Sequence, residues 1–214
     1  MLKTRIKICG LTSPEEAACL PPSRVACAGM VLFCRKSRRN ITLEQAAAIM
    51  KALPPSIKKI AVTVSPSPEE ARALEEAGFD ALQVHGILSE DILSEGKIPI
   101  IRAVNIKDKV PLFEESPRIK AYLFDAASPG SGKAFDWSCL SQIPPAGRKF
   151  ILAGGLTPDN VGKAIQMVHP WMVDVSSGVE YDGRKGKDPL KIKAFIEAVE
   201  EADRESSTEQ HISS

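Results

Sequence analysis

Arg5-Ile6-Lys7-Ile8-Cys9-Gly10-Leu11-Thr12-Ser13-Pro14-Glu15-Glu16 reads as a strand that runs straight into a helix start. Arg5–Cys9 is a short β-rich run. Ser13 then supplies an N-cap, Pro14 suits the first helical position, and a glutamate follows that can close a capping box. Runs of the same kind recur at Met30–Cys34, Lys59–Val64, Ala81–His85, Ile98–Val104, Ala121–Asp125, Lys149–Ala153 and Met172–Val175, which makes eight. They are continuously apolar rather than strictly alternating, as expected for parallel strands covered on both faces.

Helix starts follow most of these runs. Ser67-Pro68-Glu69-Glu70 repeats the first device, Thr42-Leu43-Glu44-Gln45 is another box, and Thr157-Pro158-Asp159-Asn160 and Asp188-Pro189 share the cap-then-proline logic. The segments behind them are amphipathic. Leu43, Ala46, Ala47 and Met50 fall at helical spacing, as do Val161, Ala164, Ile165 and Val168, and again Ile192, Phe195, Ile196 and Val199. These stripes read as helix faces packed on a sheet. Eight such units in 214 residues close most naturally into a single-domain α/β fold, the (β/α)8 TIM barrel. A doubly wound open sheet is the rival, and it would usually need fewer strands. The barrel is expected over residues 1–203, with a polar, disordered tail over 204–214. Pro21-Pro22 should cut the first helix to about two turns, and a helix near Lys107–Glu115 is only weakly signalled.

Composition narrows the function. With 28 basic and 27 acidic residues, the chain has a formal charge of +1, too little basic excess for a nucleic-acid or membrane-surface partner. No run approaches the roughly 18 apolar residues of a membrane span. The first residues lead directly into a strand pattern, so no signal peptide is expected. Cys9, Cys19, Cys27, Cys34 and Cys139 are scattered and only three histidines are present, which argues against a disulfide framework or a metal site and for a reducing cytoplasm. Oligomeric state stays open between monomer and homodimer.

In such barrels the chemistry sits at the C-terminal ends of the strands. That rule selects Cys9, Arg39, His85, Asp125, Gly154, Gly155, and Ser176-Ser177-Gly178. Side chains two apart in a strand share a face, so Lys7 goes with Cys9, Gln83 with His85, and Asp174 with Ser176. Gly154-Gly155 and Ser176-Ser177-Gly178 follow the last two runs, where these barrels commonly build a phosphate cradle from glycine amides and a helix N-terminus. Taken singly, each residue has a plainer reading: Cys9 as a buried apolar group, His85 as structural, Ser37-Arg38-Arg39 as a solvated charge run, and the glycine loops as tight turns. Taken together, a thiol, a carboxyl and a phosphate anchor at one mouth suggest proton shuffling on a sugar phosphate. No GxGxxG dinucleotide fingerprint follows the first run.

Lys7-Ile8-Cys9-Gly10-Leu11-Thr12, Gln83-Val84-His85-Gly86, Gly130-Ser131-Gly132-Lys133 with Phe135-Asp136-Trp137, Ala153 through Val161, and Asp174 through Glu180 resemble, in order, the motifs of the phosphoribosylanthranilate isomerase family of tryptophan biosynthesis. The resemblance spans residues 5 to about 200. It implies an Amadori rearrangement of N-(5-phosphoribosyl)anthranilate to 1-(2-carboxyphenylamino)-1-deoxyribulose 5-phosphate, with a phosphorylated small molecule as the only partner and no cofactor. Carried over, Asp125 is the general acid and Cys9, as thiolate, the general base. Arg39 pairs with the anthranilate carboxylate, and His85 and Asp174 line the substrate site. Lys7, on the same face as Cys9, is expected to help the thiol ionise, with an apparent pKa below 9. Two departures stand out: Pro21 to Gly29 replaces a longer helix and turn, and Leu32-Phe33-Cys34-Arg35 replaces an aromatic-proline pair. The rivals are a histidine-pathway isomerase with two carboxylates, a metal-dependent ribulose-phosphate epimerase, and a catalytically silent barrel.

Overall fold

The computed structural model describes residues 3–106, 116–126, 137 and 149–212, with backbone alone at 126 and 207–212. The helix expected near Lys107–Glu115 and the segment Gly130–Asp136 lie outside the described residues. Nine strands are described: β1 Arg5–Cys9, β2 Val25–Leu32, β3 Asn40–Ile41, β4 Lys58–Val64, β5 Ala81–His85, β6 Ile100–Ile106, β7 Ile119–Ala126, β8 Lys149–Leu152 and β9 Met172–Val175. All pair in parallel, and β1 pairs with both β2 and β9, so eight strands close into a barrel. The two-residue β3 pairs only with Val31 and Leu32 of β2. This is the expected (β/α)8 barrel, in one domain.

Alternation along each strand sorts the core into two layers. Ile6, Ile8, Leu82, Val84, Tyr122, Phe124, Val173 and Val175 point outward to the helices. Cys9, Cys27, Ile60, Val62, Ala81, Ile101, Leu123, Ile151 and Met172 fill the barrel interior. The odd-numbered residues of β1, β5 and β7 and the even-numbered ones of β9 therefore share the inside.

The helices are α1 Pro14–Ala18, α2 Leu43–Ala52, α3 Pro68–Glu76, α4 Glu90–Glu95, α5 Val161–Val168 and α6 Pro189–Ile212. Both capping boxes at Thr42 and Ser67 form. Four local readings differ from the sequence pattern. The second strand begins at Val25, so the stretch that departs from the expected turn is largely strand, and it ends at Leu32 rather than Cys34. Ser13 caps α1, but Glu16 turns its carboxylate to the Thr12 amide and hydroxyl and to the Lys187 amide instead of closing a box. Thr157-Pro158 forms a turn braced by Asn160, whose side chain accepts from Thr157 N at 2.8 Å and donates to Gly155 O at 2.9 Å, and α5 starts only at Val161. The last helix continues to Ile212, through most of the segment expected to be a disordered tail.

The box at Ser67 is compact: Ser67 Oγ accepts from Glu70 N at 3.2 Å, and Glu70 accepts from Ser67 N at 2.9 Å. Ser67→Ala leaves an amide of the first turn unpaired and is expected to cost about 1 kcal/mol. Urea unfolding with an unchanged m-value checks it, and a midpoint equal to wild type would show that the cap contributes nothing.

Candidate active site

The inward-facing residues at the C-terminal ends of the strands enclose a cavity of about 500 Å³. Cys9, Arg39, His85, Asp125, Gly154, Gly155, Asp174, Ser176 and Ser177 all line it. Cys9 ends β1 and Asp125 lies near the end of β7, three steps apart around the eight-stranded ring. Gly178 stands just behind: a Cβ there would lie 2.0 Å from the carbonyl oxygen of Leu156, so only glycine lets the loops after β8 and β9 touch. Gly154 and Gly155 take positive φ, at 87° and 69°, which turns the chain sharply off β8.

An ion pair lies beneath the thiol. Lys7 Nζ donates to both oxygens of Asp174, at 3.0 and 3.1 Å, with Lys7 fully buried. The strand register sets the two opposite each other on β1 and β9. Gly29 of β2 makes the room, because a Cβ there would meet Cys9 Sγ at 2.8 Å and Lys7 Nζ at 2.9 Å. Burial alone would favour neutral Lys7, but the Asp174 carboxylate and the Cys9 sulfur outweigh it and hold the ammonium charged well above the ordinary lysine range. Cys9 goes the other way from the expectation. Burial, reinforced by the Asp174 carboxylate, pushes its thiol above the ordinary value despite the opposing pull of Lys7. The positive field is present, but it is largely spent on Asp174.

Gln83 and His85 share the inner face of β5, and Gln83 Nε2 lies 2.9 Å from His85 Nε2. Burial, with Lys7 and Arg102 adding positive charge, lowers the His85 pKa to about 4, so the imidazole is neutral throughout the physiological range.

Arg39 arrives from a loop tied into turns. Ser37 N donates to Cys34 O at 2.8 Å, Asn40 N to Ser37 O at 3.1 Å, and Asn40 Oδ1 accepts from Cys34 N at 2.7 Å. Pairing of β3 with β2 then anchors the loop's far end. Arg39 Nε donates to Glu180 at 2.6 Å. Lys187, buried against the loop after β9, donates to Glu180 at 3.2 Å and to Ser176 O at 3.1 Å. Ser176 Oγ in turn donates to Cys9 O at 2.9 Å.

A model of the N-(5'-phosphoribosyl)anthranilate isomerase family matches residues 6–198 of the chain. The chain belongs to that family. It is 43% identical over 199 residues to the N-(5'-phosphoribosyl)anthranilate isomerase of Streptococcus mutans, covering 92% of this chain and 98% of the relative. The crystal structure of the Thermus thermophilus phosphoribosyl anthranilate isomerase superposes with a TM-score of 0.82 at 31% identity, covering 92% and 99% of the two chains. A phosphoribosyl anthranilate isomerase in complex with reduced 1-(o-carboxyphenylamino)-1-deoxyribulose 5-phosphate superposes with a TM-score of 0.76 at 32% identity, covering 92% and 98%.

Within this isomerase fold, Glu180, Lys187 and Gly29 have roles that the sequence pattern does not assign. For Gly29 a signal exists, since a glycine inside a strand is the standard sign of close approach. Glu180 closes one of the quoted motifs without a role attached. Lys187 carries no local signal; the antiparallel bridge between Glu180 and Lys187 helps bring it back to the site.

The raised thiol has a direct readout. Below its pKa Cys9 is protonated and unreactive, so alkylation of the free protein by iodoacetamide, followed at Cys9 by peptide mass spectrometry, should rise with pH and reach half its limit only above pH 9.0. A midpoint near pH 7 would show that Lys7 dominates after all.

Proposed function

We propose that the chain catalyses the Amadori rearrangement of N-(5-phosphoribosyl)anthranilate to 1-(2-carboxyphenylamino)-1-deoxyribulose 5-phosphate, a step of tryptophan biosynthesis, by general acid–base catalysis. The observation that carries the reading is the meeting of the Cys9 thiol, the Asp125 carboxyl and the Arg39 guanidinium in a single cavity bordered by the loops after β8 and β9. Family membership supports it, and so does the ligand held by the similar isomerase, which is the reduced form of this product.

Asp125 gives a proton to the furanose ring oxygen, and the C1–O bond breaks as the nitrogen lone pair forms the iminium. Cys9 thiolate removes the proton from C2, which yields the enol, and tautomerisation gives the C2 ketone. No electrons enter or leave, so the chemistry needs no cofactor. Arg39 pairs with the anthranilate carboxylate, for which its planar fork is suited. Gly154, Gly155, Ser176, Ser177 and Gly178 hold the phosphate, while His85 and Asp174 border the sugar. Neutral His85 accepts or donates a single hydrogen bond there without adding charge. Burial holds Cys9 as the thiol in the empty site, and its thiolate is the form that takes the C2 proton. Four free cysteines among the described residues suit a reducing compartment, and we place the enzyme in the cytoplasm, acting on a diffusible phosphorylated substrate.

Turnover is followed by the change in anthranilate fluorescence on freshly made phosphoribosylanthranilate. Wild type should convert it. Cys9→Ser and Asp125→Asn should each lose about 10²–10⁴-fold in kcat while melting as wild type. A variant that turns over at the wild-type rate removes its residue from the mechanism, and an inactive wild type removes the function.

A further inference from the structure

Three basic side chains converge on one carboxylate behind the cavity. Glu180 Oε1 accepts from Arg39 Nε at 2.6 Å and from Lys187 Nζ at 3.2 Å, and Arg38 donates to Oε2. Glu180 and Lys187 do not line the cavity, whereas Arg38 and Arg39 do. The group is largely enclosed, with side chains of Arg39, Glu180 and Lys187 exposed by 13%, 12% and 1%. Burial opposes the charge on Glu180, but the Arg39 hydrogen bond and the Lys187 charge keep the carboxyl below its ordinary range.

The arrangement holds Arg39 in one pose. Its stem crosses the end of β1 at Gly10, where φ is 78° and a Cβ would stand 2.4 Å from Arg39 Cδ and 3.3 Å from Nε. Nε is taken by Glu180, while Nη2 is buried and has no hydrogen-bond partner among the described residues. Three cations on a single anion leave positive charge uncompensated beside an unused donor of a planar fork. Such a group is completed by a second carboxylate arriving from the cavity.

We infer that Glu180 is a positioning residue for substrate recognition. Backed by Lys187, it fixes the side chain of Arg39 so that the free end of the guanidinium is ready for the ring carboxylate of the substrate. The inference rests on the proposed function. Glu180 touches no substrate atom; it acts through Arg39. Neutralising it leaves three cations with no anion among them and releases Arg39 from the pose that Gly10 and Glu180 define.

Selectivity for the ring carboxylate is the readout that a merely structural role would not move. Two unreactive probes are titrated by calorimetry: the reduced product, and its phenylamino counterpart without the carboxylate. Wild type should bind the carboxylated probe about ten- to a hundredfold more tightly. Glu180→Gln should erase most of that ratio while leaving affinity for the second probe within about threefold, and it should raise KM far more than it lowers kcat. Glu180→Asp keeps the charge but draws it back by one methylene, so it should show the same selective loss at smaller size, also serving if the glutamine variant does not fold. Equal weakening of both probes, or an unchanged ratio in both variants, overturns the assignment of Glu180. Failure of wild type to isomerise phosphoribosylanthranilate overturns the proposed function instead, and that result is read separately from the binding ratios.

Discussion

The Lys7–Asp174 pair joins the first and last strands of the barrel, with Lys7 fully buried and Asp174 nearly so where it lines the cavity. Removing two charges from water is costly, and only good geometry with further hydrogen bonds compensates. Here a fork of two bonds at 3.0 and 3.1 Å supplies the geometry, and the missing side chain at Gly29 supplies the space. The arrangement follows from strand phase. Lys7 and Cys9 must share a face, and closure of β1 on β9 must set Lys7 opposite Asp174. A slip of β1 by one residue would send lysine and thiol into the helical layer together and leave the carboxylate of Asp174 facing inward without its partner.

Charge is divided between two levels of the mouth. Around the thiol, Lys7 and Asp174 cancel, and His85 is neutral. At the rim, Arg38, Arg39 and Lys187 outnumber Glu180. A ligand that directs an anionic group at that rim and sets a neutral sugar beside the thiol is matched by that distribution. The same division explains why a lysine so near Cys9 does not ionise it. The field that Lys7 exerts on the sulfur is offset by the carboxylate that Lys7 itself carries, and burial then decides the balance.

Much of this is readable from the residues, and the failures have physical causes. β1 and β5 begin and end where their runs do, because Thr4 and Gly10 bound the first and Asp80 and Gly86 the second, and β9 ends where its run meets Ser176. β2 starts earlier than its apolar run because Val25-Ala26-Cys27-Ala28-Gly29 is built of small residues that carry little strand signal, and a bulge against Ile6 and Lys7 interrupts its pairing. Thr157-Pro158 offers the ordinary cap-and-proline pattern, but Asn160 satisfies the Thr157 amide and delays the helix. The site's line of strand-end residues is legible because the barrel rule alone nominates it. The second line is not, since the glutamate and lysine behind Arg39 meet through a turn containing Gly183 and Gly186 that looks like plain loop.

A base that is protonated in the empty site is not a contradiction. The strength of a base rises with the pKa of its conjugate acid, so a thiolate generated against burial is a better proton acceptor than one stabilised beforehand. What the site then requires is an internal acceptor for the thiol proton at the moment of binding. The proposed acid is a carboxyl three strands away across the same cavity, and an incoming phosphate and ring carboxylate favour its protonated form. The ammonium of Lys7 is already in contact with the sulfur when charge develops on it. In the proposed mechanism the buried pair serves by being fixed in place, so that little reorganisation remains when the thiolate appears.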